Sequence, residues 1–380
     1  MTLFKRFKRK QNKQQVSKYP LPDEYRGPNK ILGKDVFVPL PPDKNGNVLI
    51  LGSVGSGNIS SYVEPNIVNT DDKSNSVVCI NKPDAKDIIG KLTDRTVLEL
   101  DLSTHPVDYF SLITDKSDAE RFLDKMFEAG ASLQETPTNG FFFDTEKIVL
   151  MDVITAVLEK QRTCDHKTIF EILLREDVAD LSETFRSLPE RTKETVLYQL
   201  LDLVYELSPG AVDLLTDVVD TVMHESNIVV FIEMTRYEKS VYEAIFLDEF
   251  VYRYKQSFDE NAGSTKVIMA EAENCIYDEG MLCKETRQIG MSVDFVYQSI
   301  GQLIEQHPIF YKMIASNACA IVCLGTNDVA TVDFLKEAIG KTKDDAIDVL
   351  RLASEYEVIL CPALSKDLIV AEKMGLSLPN

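Results

Sequence analysis

The sequence predicts an α/β fold in which a mostly parallel sheet is interrupted by an inserted all-helical domain. Three observations predict it: short β-branched runs recur along the chain, helical segments separate most of them, and this alternation stops over residues 118–225. Strands buried on both faces are continuous apolar runs, and strand–helix alternation is typical of parallel sheets. With 380 residues, 44% of them apolar, the chain is long enough to bury a sizeable core.

Nine apolar runs bounded by turn residues are predicted to form the sheet, within residues 31–117 and 226–380. The first eight are predicted as buried parallel strands and the ninth as an edge strand. They are Asn47–Leu51, Val77–Ile80, Thr96–Leu100, Asn227–Ile232, Lys266–Met269, Val293–Tyr297, Ala320–Leu324, Val358–Cys361 and Leu368–Ala371.

The interval 118–225 contains no convincing strand and is predicted to be an inserted all-α domain. It carries 23 acidic and 10 basic residues. Pro189 and the turn Ser208–Gly210 punctuate its helical periodicity. The predicted helices are Ala119–Ala129, Thr145–Lys160, Thr168–Arg175, Leu181–Leu188, Lys193–Leu207 and Ala211–His224.

The charge distribution limits the classes of ligand and the location. The net charge is −20, whereas the first 20 residues contain seven basic and no acidic side chains. So acidic a body repels phosphate backbones, so direct DNA binding is predicted to be weak or absent. Residues 1–30 are predicted to form a basic tail that is either disordered or, through residues 1–20, in peripheral contact with a membrane. The cysteines are scattered and none forms a CxxC motif, which predicts that the protein lies in the reducing cytoplasm and has no metal site. Attachment to the inner face of the cell membrane is left open.

A glycine-rich turn between a strand and a helix is the first candidate for a binding site. Residues 52–59 read GSVGSGNI and follow the predicted strand Asn47–Leu51. Backbone N–H groups of such turns cradle phosphates at the start of a helix. The spacing from Gly52 to Gly57 matches the Walker A pattern GxxxxGK followed by Ser or Thr, which predicts a P-loop; a tight turn without a ligand is the alternative.

Two residues of this loop lack the expected chemistry. Asn58 stands at the position of the lysine that contacts the β- and γ-phosphates, and Ile59 at that of the magnesium-binding hydroxyl. Asparagine carries no positive charge, and isoleucine offers no oxygen to Mg²⁺, which requires oxygen ligands. What remains is a nucleotide-binding relic consisting of Gly52, Gly55, Ser56 and Gly57.

Several further segments occur in a specific order. Pro65–Ile67 follows the loop helix, Gly290–Leu303 holds a Gly-Met-Ser strand followed by Gln-Ser-Ile-Gly-Gln-Leu, and Leu324–Asp328 reads LGTND. These segments resemble the Pro-Asn-Ile, Gly-Ile-Ser, Gln-Ser-Leu-x-Gln-Leu and leucine-glycine-glycine elements of the TraG-like type IV coupling proteins, which are conjugative DNA-transfer ATPases. The ordered matches run from Ile31 to Lys341, nearly the whole chain.

The resemblance implies a RecA-like domain with an all-α insertion that assembles as hexamers. Members of the family usually begin with two transmembrane helices, and no apolar run in this sequence is long enough to form one. It also aligns the Walker B strand with Val267–Asn274. There Ala270 replaces the magnesium-organising aspartate, whereas Glu271 keeps the position of the water-activating glutamate. By the same resemblance, Arg287 is a relic of an interface arginine and Gln298 a relic of a γ-phosphate sensor.

A second segment also reads like a Walker B strand. Residues 245–250, IFLDEF, end in Asp248 and Glu249. The apolar residues from Glu238 to Tyr254 nevertheless recur with a helical period, so Asp248 is predicted to lie on a helix.

Asn58, Ile59 and Ala270 have together lost the groups that position and neutralise phosphates, which is most of the catalysis in phosphoryl transfer. The sequence therefore predicts a pseudo-ATPase without catalytic residues or required cofactor, with weak residual ATP binding left open. Its predicted role is that of a substrate receptor or scaffold in type IV secretion or conjugative DNA transfer. One alternative is an active coupling ATPase with unorthodox ligands such as Asp248 and Glu271; another is a regulator that retains only the fold.

The predicted partners are type IV secretion or relaxosome proteins, including an active coupling ATPase. The resemblance implies that the helical insertion docks them. Because residues 118–225 are acidic, we expect them to bind a basic protein surface rather than nucleic acid. The alternative is that these charges only keep a helical bundle soluble.

Overall fold

The fold is derived from a computed structural model. It describes residues 30–33, 36–38, 46–68, 74–80, 83–93, 95–101, 107–133, 140–160, 162–175, 178–207, 214–233, 241–258, 264–270, 272, 286, 289–306, 318–326, 328–339, 356–360 and 368–372. The predicted basic tail, except for Lys30, and the candidate residues Glu271 and Arg287 lie outside the described residues. The chain divides into two compact units, a sheet unit of residues 1–100, 219–236 and 253–380 and a helical unit of residues 101–218 and 237–252.

The sheet unit alternates strands with helices. Its strands are β1 (Lys30–Gly33), β2 (Val36–Val38), β3 (Val48–Gly52), β4 (Asn75–Ile80), β5 (Thr96–Asp101), β6 (Ile228–Glu233), β7 (Thr265–Ala270), β8 (Met291–Tyr297), β9 (Ala320–Leu324), β10 (Tyr356–Leu360) and β11 (Leu368–Glu372). The helices are a π-helix (Asn58–Val63), α1 (Glu64–Val68), α2 (Pro83–Leu92), α11 (Ile300–Gln306) and α12 (Val329–Ile339).

Nine strands form one sheet in the order β11-β10-β9-β3-β8-β7-β4-β6-β5, and β1 and β2 form a separate antiparallel pair. Parallel pairings join β9, β3, β8, β7, β4 and β6, so the carboxyl ends of these six strands share one edge of the sheet. This confirms the predicted α/β fold with a mostly parallel sheet.

The last two strands depart from that pattern. β10 pairs antiparallel with both β9 and β11. The prediction that Val358–Cys361 is a parallel strand is therefore wrong. Its apolar run has the composition of the buried strands, and composition does not record the direction in which a strand runs.

The core of the sheet unit lies along its central strands. Every residue of β3, β4, β7 and β9 is buried, which is why these segments appear in the sequence as largely apolar or β-branched runs. Several charged side chains are buried in the sheet unit as well. Arg95, 2% exposed, donates to the carbonyl oxygens of Ile67, Ser74 and Ile228 and to the hydroxyl of Ser76. A guanidinium can be buried at this position because these four acceptors engage both of its terminal nitrogens.

The helical unit contains short- and medium-length helices packed around an apolar centre. They are a 3₁₀ turn (Phe110–Leu112), α3 (Lys116–Leu133), α4 (Gly140–Glu159), α5 (His166–Arg175), α6 (Val178–Leu181), α7 (Glu183–Ser187) and α8 (Glu190–Glu206). Two further helices, α9 (Leu214–His224) and α10 (Val241–Ser257), contribute residues to both units. None of the described helices is long and apolar enough to cross a membrane.

One predicted helix of this unit is divided in two. The segment Leu181–Leu188 contains the last residue of α6 and the whole of α7, with Ser182 between the two helices. The Ser182 hydroxyl accepts a hydrogen bond from the Phe185 N–H at 3.2 Å and donates to Asp152 at 2.6 Å. A serine that caps a helix competes with continuation of the preceding helix, which explains the break.

Candidate functional site: the glycine-rich loop

The glycine-rich loop joins β3, a central strand, to the π-helix at the carboxyl edge of the sheet. Gly52 is the last residue of β3, and Gly55 and Gly57 have φ angles of 81° and 98°. These angles lie in the left-handed region that favours glycine. A side chain at Gly57 would also place its Cβ 2.7 Å from the Ser61 hydroxyl oxygen. The loop therefore needs its glycines both for backbone angles and for space.

The Asn58 side chain is bonded into the loop itself. Its Nδ2 donates to the Gly52 carbonyl oxygen at 2.8 Å, and its Oδ1 accepts from the Ser56 hydroxyl at 3.0 Å. A Cβ on Gly52 would lie only 2.1 Å from Asn58 Oδ1. The amide thus fits against the loop backbone, where it satisfies loop groups.

The other two residues predicted to have lost catalytic chemistry belong to the apolar core. Ile59 packs against the hydrophobic cluster of the sheet unit, and Ala270, at the end of β7, is 4% exposed within that cluster. Ala270 on β7 pairs with Val296 on β8, and Val296 pairs with Ile50 on β3. Ala270 therefore lies level with Ile50, two residues before the end of β3. Neither side chain offers a metal ligand.

Hydroxyl groups connect the loop to the segments that follow β8 and β9. Ser53 donates to Thr326 at 3.2 Å, and the Thr326 hydroxyl also accepts from the Asp328 N–H. Thr331, in the first turn of α12, accepts from the Ile300 N–H at 2.8 Å. The carboxyl ends of β3, β8 and β9 are therefore held together by neutral hydrogen bonds.

The predicted sensor residue precedes a helix with a reciprocal cap. Gln298 directly follows β8, and its backbone N–H donates to the Gln302 side-chain oxygen at 3.1 Å. The Ser299 hydroxyl accepts from the Gln302 N–H, and Gln302 Oε1 accepts from the Ser299 N–H. Ser299 and Gln302 thus form a capping box at the start of α11, which gives the Gln-Ser-x-x-Gln element a structural role.

Buried polar groups lie behind the loop, on the helix it leads into. Tyr62 is fully buried and its hydroxyl donates to Asp294 on β8 at 3.1 Å. Glu64 is 5% exposed, and burial raises the pKa of its carboxyl above its ordinary value. The described residues contain no group of His, Cys, Asp and Glu side chains that could hold a metal ion.

The second Walker B candidate lies in the helical unit. Asp248 is on α10, which confirms the prediction that it belongs to a helix. Arg121 on α3 forms ion pairs with Asp248 at 3.2 Å and Glu249 at 2.6 Å, Lys125 lies 3.9 Å from Asp248, and the Arg121 guanidinium lies 3.7 Å from the centre of the Tyr252 ring. Burial alone would lower the pKa of Arg121, but Glu249 and Asp248 raise it overall. We call Arg121, Lys125, Asp248, Glu249 and Tyr252 the arginine cluster.

Sequence reasoning missed the residues that connect these elements. Ser53 and Thr326 are 273 positions apart, and Arg121 and Asp248 are 127 apart, so no local pattern joins either pair. The capping box was visible as Ser299 followed three residues later by glutamine, a known signal for a helix start.

A parallel sheet with a glycine-rich loop between a central strand and a helix defines a RecA-like P-loop fold of the α/β class. No family model matches this sequence, and no curated protein matches it. Among solved structures, VirB4 of Thermoanaerobacter pseudethanolicus is similar with a TM-score of 0.63 at 14% identity over 92% of this chain and 96% of that chain. The plasmid coupling protein TrwB in complex with ADP and Mg²⁺ gives 0.62 at 13% identity over 90% and 88% of the two chains. The bacterial conjugative coupling protein TrwBΔN70 with sulphate gives 0.61 at 11% identity over 95% and 89%. At such identities the likeness establishes the fold.

Proposed function

We propose that this chain is a coupling-protein-like P-loop subunit that does not hydrolyse nucleotide and acts as a substrate receptor or scaffold in type IV secretion or conjugative DNA transfer. The observation that carries the proposal is the Asn58 side chain, which bonds to Gly52 and Ser56 within its own loop. In a P-loop that binds ATP, the side chain at this position carries a positive charge to the β- and γ-phosphates.

The apolar surroundings of Ile59 and Ala270 support the same proposal. Phosphoryl transfer depends on positioning and on neutralising charge, mostly with Mg²⁺ and cationic side chains. At these two positions the chain has core-packing side chains that cannot coordinate a metal. The proposal therefore rests on three neighbouring replacements rather than on one.

Hydrolysis is the direct test. We expect the purified protein to show no Mg²⁺-dependent ATP hydrolysis, with or without DNA. Calorimetric titration with ATP is expected to show weak binding or none. In the Asn58→Lys variant, the charge-assisted hydrogen bonds regained are expected to tighten binding by about 10-fold or more. Steady-state turnover near ~1 s⁻¹ that is abolished by Glu271→Gln would overturn the proposal in favour of an active ATPase.

Conjugation assays test the scaffold role separately. We expect deletion of the gene to lower transfer frequency from donor cells, and Glu271→Gln to restore transfer as well as the wild-type chain. A Glu271→Gln variant that fails to restore transfer, although it is folded and present at the wild-type level, would indicate an active ATPase. Transfer that is unaffected by the deletion would favour a regulator that retains only the fold.

Two ion pairs argue against Asp248 as a metal ligand in the active-ATPase alternative. Asp248 is engaged by Arg121 and Lys125 on the helix α10. A carboxylate held in this way is already neutralised, which leaves Glu271 as the remaining candidate of that pair.

The proposed partners are type IV secretion or relaxosome proteins, including an active coupling ATPase. The helical interval 118–225, with 23 acidic and 10 basic residues, is proposed as the surface that receives them. Its charge favours a basic protein surface over a phosphate backbone. Binding of the full-length protein to purified transfer proteins, weakening steeply with salt, would support this. Tight binding to single-stranded DNA at physiological ionic strength would contradict it.

A further inference from the structure

The outward face of α8 carries two exposed tyrosines. Tyr198 is 71% exposed and Tyr205 is 65% exposed, and the carboxylates Glu194 and Asp202 are exposed on the same helix. Because these four residues recur every three or four positions, they share one face of the helix. We call them the tyrosine stripe. Within the described part of the chain, none of the four side chains makes a hydrogen bond, ion pair or ring contact.

The arginine cluster shows what such an arrangement binds. On α10, Glu249 precedes Tyr252 by three positions and Asp248 precedes it by four, and the Arg121 guanidinium contacts the ring and both carboxylates. On α8, Asp202 precedes Tyr205 by three positions and Glu194 precedes Tyr198 by four. Each exposed ring of the stripe therefore has a carboxylate about one helical turn before it, as Tyr252 has.

Charge along α8 also favours a cation. From residue 195 to residue 206 the helix contains Asp202 and Glu206 and no basic residue. The partial negative charge of the helix carboxyl end adds to these carboxylates. Arg191 and Lys193 lie at the opposite end of the helix.

We propose that the tyrosine stripe binds an arginine-bearing segment of a protein partner, with one guanidinium stacked on each ring and paired with the carboxylate that precedes it. The two rings are seven residues apart, roughly 10 Å along the helix, which matches about three residues of a polyproline II segment. Because that conformation has about three residues per turn, side chains three positions apart lie on the same side, so the partner presents two arginines three positions apart in such a segment. Lysine fits less well because it lacks the planar group that stacks on a ring and bonds a carboxylate in two places. This inference rests on the proposed receptor function and specifies its binding surface.

The chain contains no tryptophan, so Tyr198→Trp gives the full-length protein a single fluorescent reporter within the stripe. We would titrate this variant with a glycine-serine peptide bearing two arginines three positions apart, and with the same peptide bearing lysines. Stacking energies at exposed sites predict that the arginine peptide binds about five-fold more tightly. Leu174→Trp, which places the reporter at an exposed site on α5, is expected to show no saturable response.

Two further substitutions locate the site in the Tyr198→Trp background. Asp202→Asn is expected to weaken binding of the arginine peptide about two- to five-fold, the range for an exposed ion pair. Glu159→Gln, which removes an equal charge from an exposed position on α4, is expected to leave binding unchanged. Circular dichroism of each variant would verify that the helices are intact.

Several outcomes would overturn the inference. They are equal binding of the two peptides, equal losses for Asp202→Asn and Glu159→Gln, no binding of either peptide, and comparable binding of a single-stranded oligonucleotide. None of these measurements involves ATP or DNA transfer. If the peptides do not bind as expected, the scaffold proposal still stands and its binding surface lies elsewhere on the protein. ATP hydrolysis by the protein would contradict the scaffold proposal and would leave the inference about the tyrosine stripe unaffected.

Discussion

The glycine-rich loop and the arginine cluster satisfy their polar groups in different ways. The loop satisfies its polar groups with neutral side chains, chiefly Asn58 and Ser56. The cluster pairs a guanidinium with two carboxylates, and Glu249 is only 2% exposed. Opposite charges are thus paired within the arginine cluster, whereas the loop, where phosphate chemistry would require charges, has none among its described side chains. The comparison indicates that the polar groups of the loop depend on neutral hydrogen bonds and those of the cluster on opposite charges.

The largest expected effect comes from removing the central charge of the arginine cluster. Arg121→Ala is expected to lower the free energy of unfolding by about 3–5 kcal/mol, because it removes the cation that pairs with the buried Glu249 and with Asp248. Urea denaturation followed by circular dichroism measures the change. Arg191→Ala, at an exposed position on α8, is the matched control and is expected to change stability by less than about 0.5 kcal/mol. A loss below about 1 kcal/mol for Arg121→Ala would show that the cluster is not costly to break.

A smaller effect is expected from overfilling the loop. Gly52→Ala would place a Cβ 2.1 Å from Asn58 Oδ1 and 2.4 Å from the Ser56 oxygen, and is expected to cost about 1–3 kcal/mol. In the double variant Gly52→Ala/Asn58→Ala the amide is absent, so part of this loss is expected to be recovered. A double-mutant cycle from urea unfolding measures the coupling. Strict additivity would contradict the assignment of Asn58 to the interior of the loop.

The helical unit also contains a buried acid that makes stability depend on pH. Glu146 on α4 is 6% exposed, and burial raises its pKa to about 7. Because the folded state binds this proton more tightly than the unfolded state, the stabilising protonated form is lost as pH rises from about 4.5 to 7. Stability is therefore expected to fall by about 1–3 kcal/mol between pH 4.5 and pH 8 through this group.

The matched variant isolates the Glu146 contribution from other titrating groups. Glu146→Gln is expected to flatten the pH profile of the unfolding free energy and to be more stable than the parent at pH 8. An unchanged profile would show that the pKa of the Glu146 carboxyl is the same in the folded and the unfolded state.

The smallest expected effect concerns the neutral cap after β8. Ser299→Ala is expected to cost about 1 kcal/mol, because it removes the acceptor for the Gln302 N–H at the start of α11. Gln302→Glu is expected to preserve stability, since glutamate also serves in a capping box. Thr195→Ala, at an exposed position within α8, is the control. An unchanged free energy of unfolding in Ser299→Ala would show that the cap does not stabilise the fold, and would leave the Gln-Ser-x-x-Gln element available for a role other than capping.

The strands could be predicted because burial leaves a direct trace in composition. Ala320–Leu324 was predicted with the bounds of β9, and the helical period of residues 238–254 placed Asp248 on α10. Contacts between distant residues left no such trace. The bonds of Asn58 to its own loop and of Arg121 to α10 depend on the final positions of side chains, and the antiparallel direction of β10 depends on how the chain returns to the sheet. The sequence pattern therefore predicted the helices and strands, whereas the side-chain contacts of the site depended on tertiary geometry.

The strand order has a consequence for synthesis of the chain on the ribosome. Among the described strands β3 pairs with β8 and β9, and β4 pairs with β6 and β7, and all four of these partners are translated after the helical insertion. The bond from Arg95 to Ile228 alone spans 133 positions. At typical elongation rates, roughly ten seconds pass between the emergence of its two ends. During that interval the buried runs of β3 and β4 have no native strand to pair with, while the local contacts of α3 to α8 can already form. Newly made chains of this protein therefore expose two aggregation-prone strands until the carboxyl-terminal half emerges. A helical insertion that has already folded shortens the loop that must close when these strands meet their later partners.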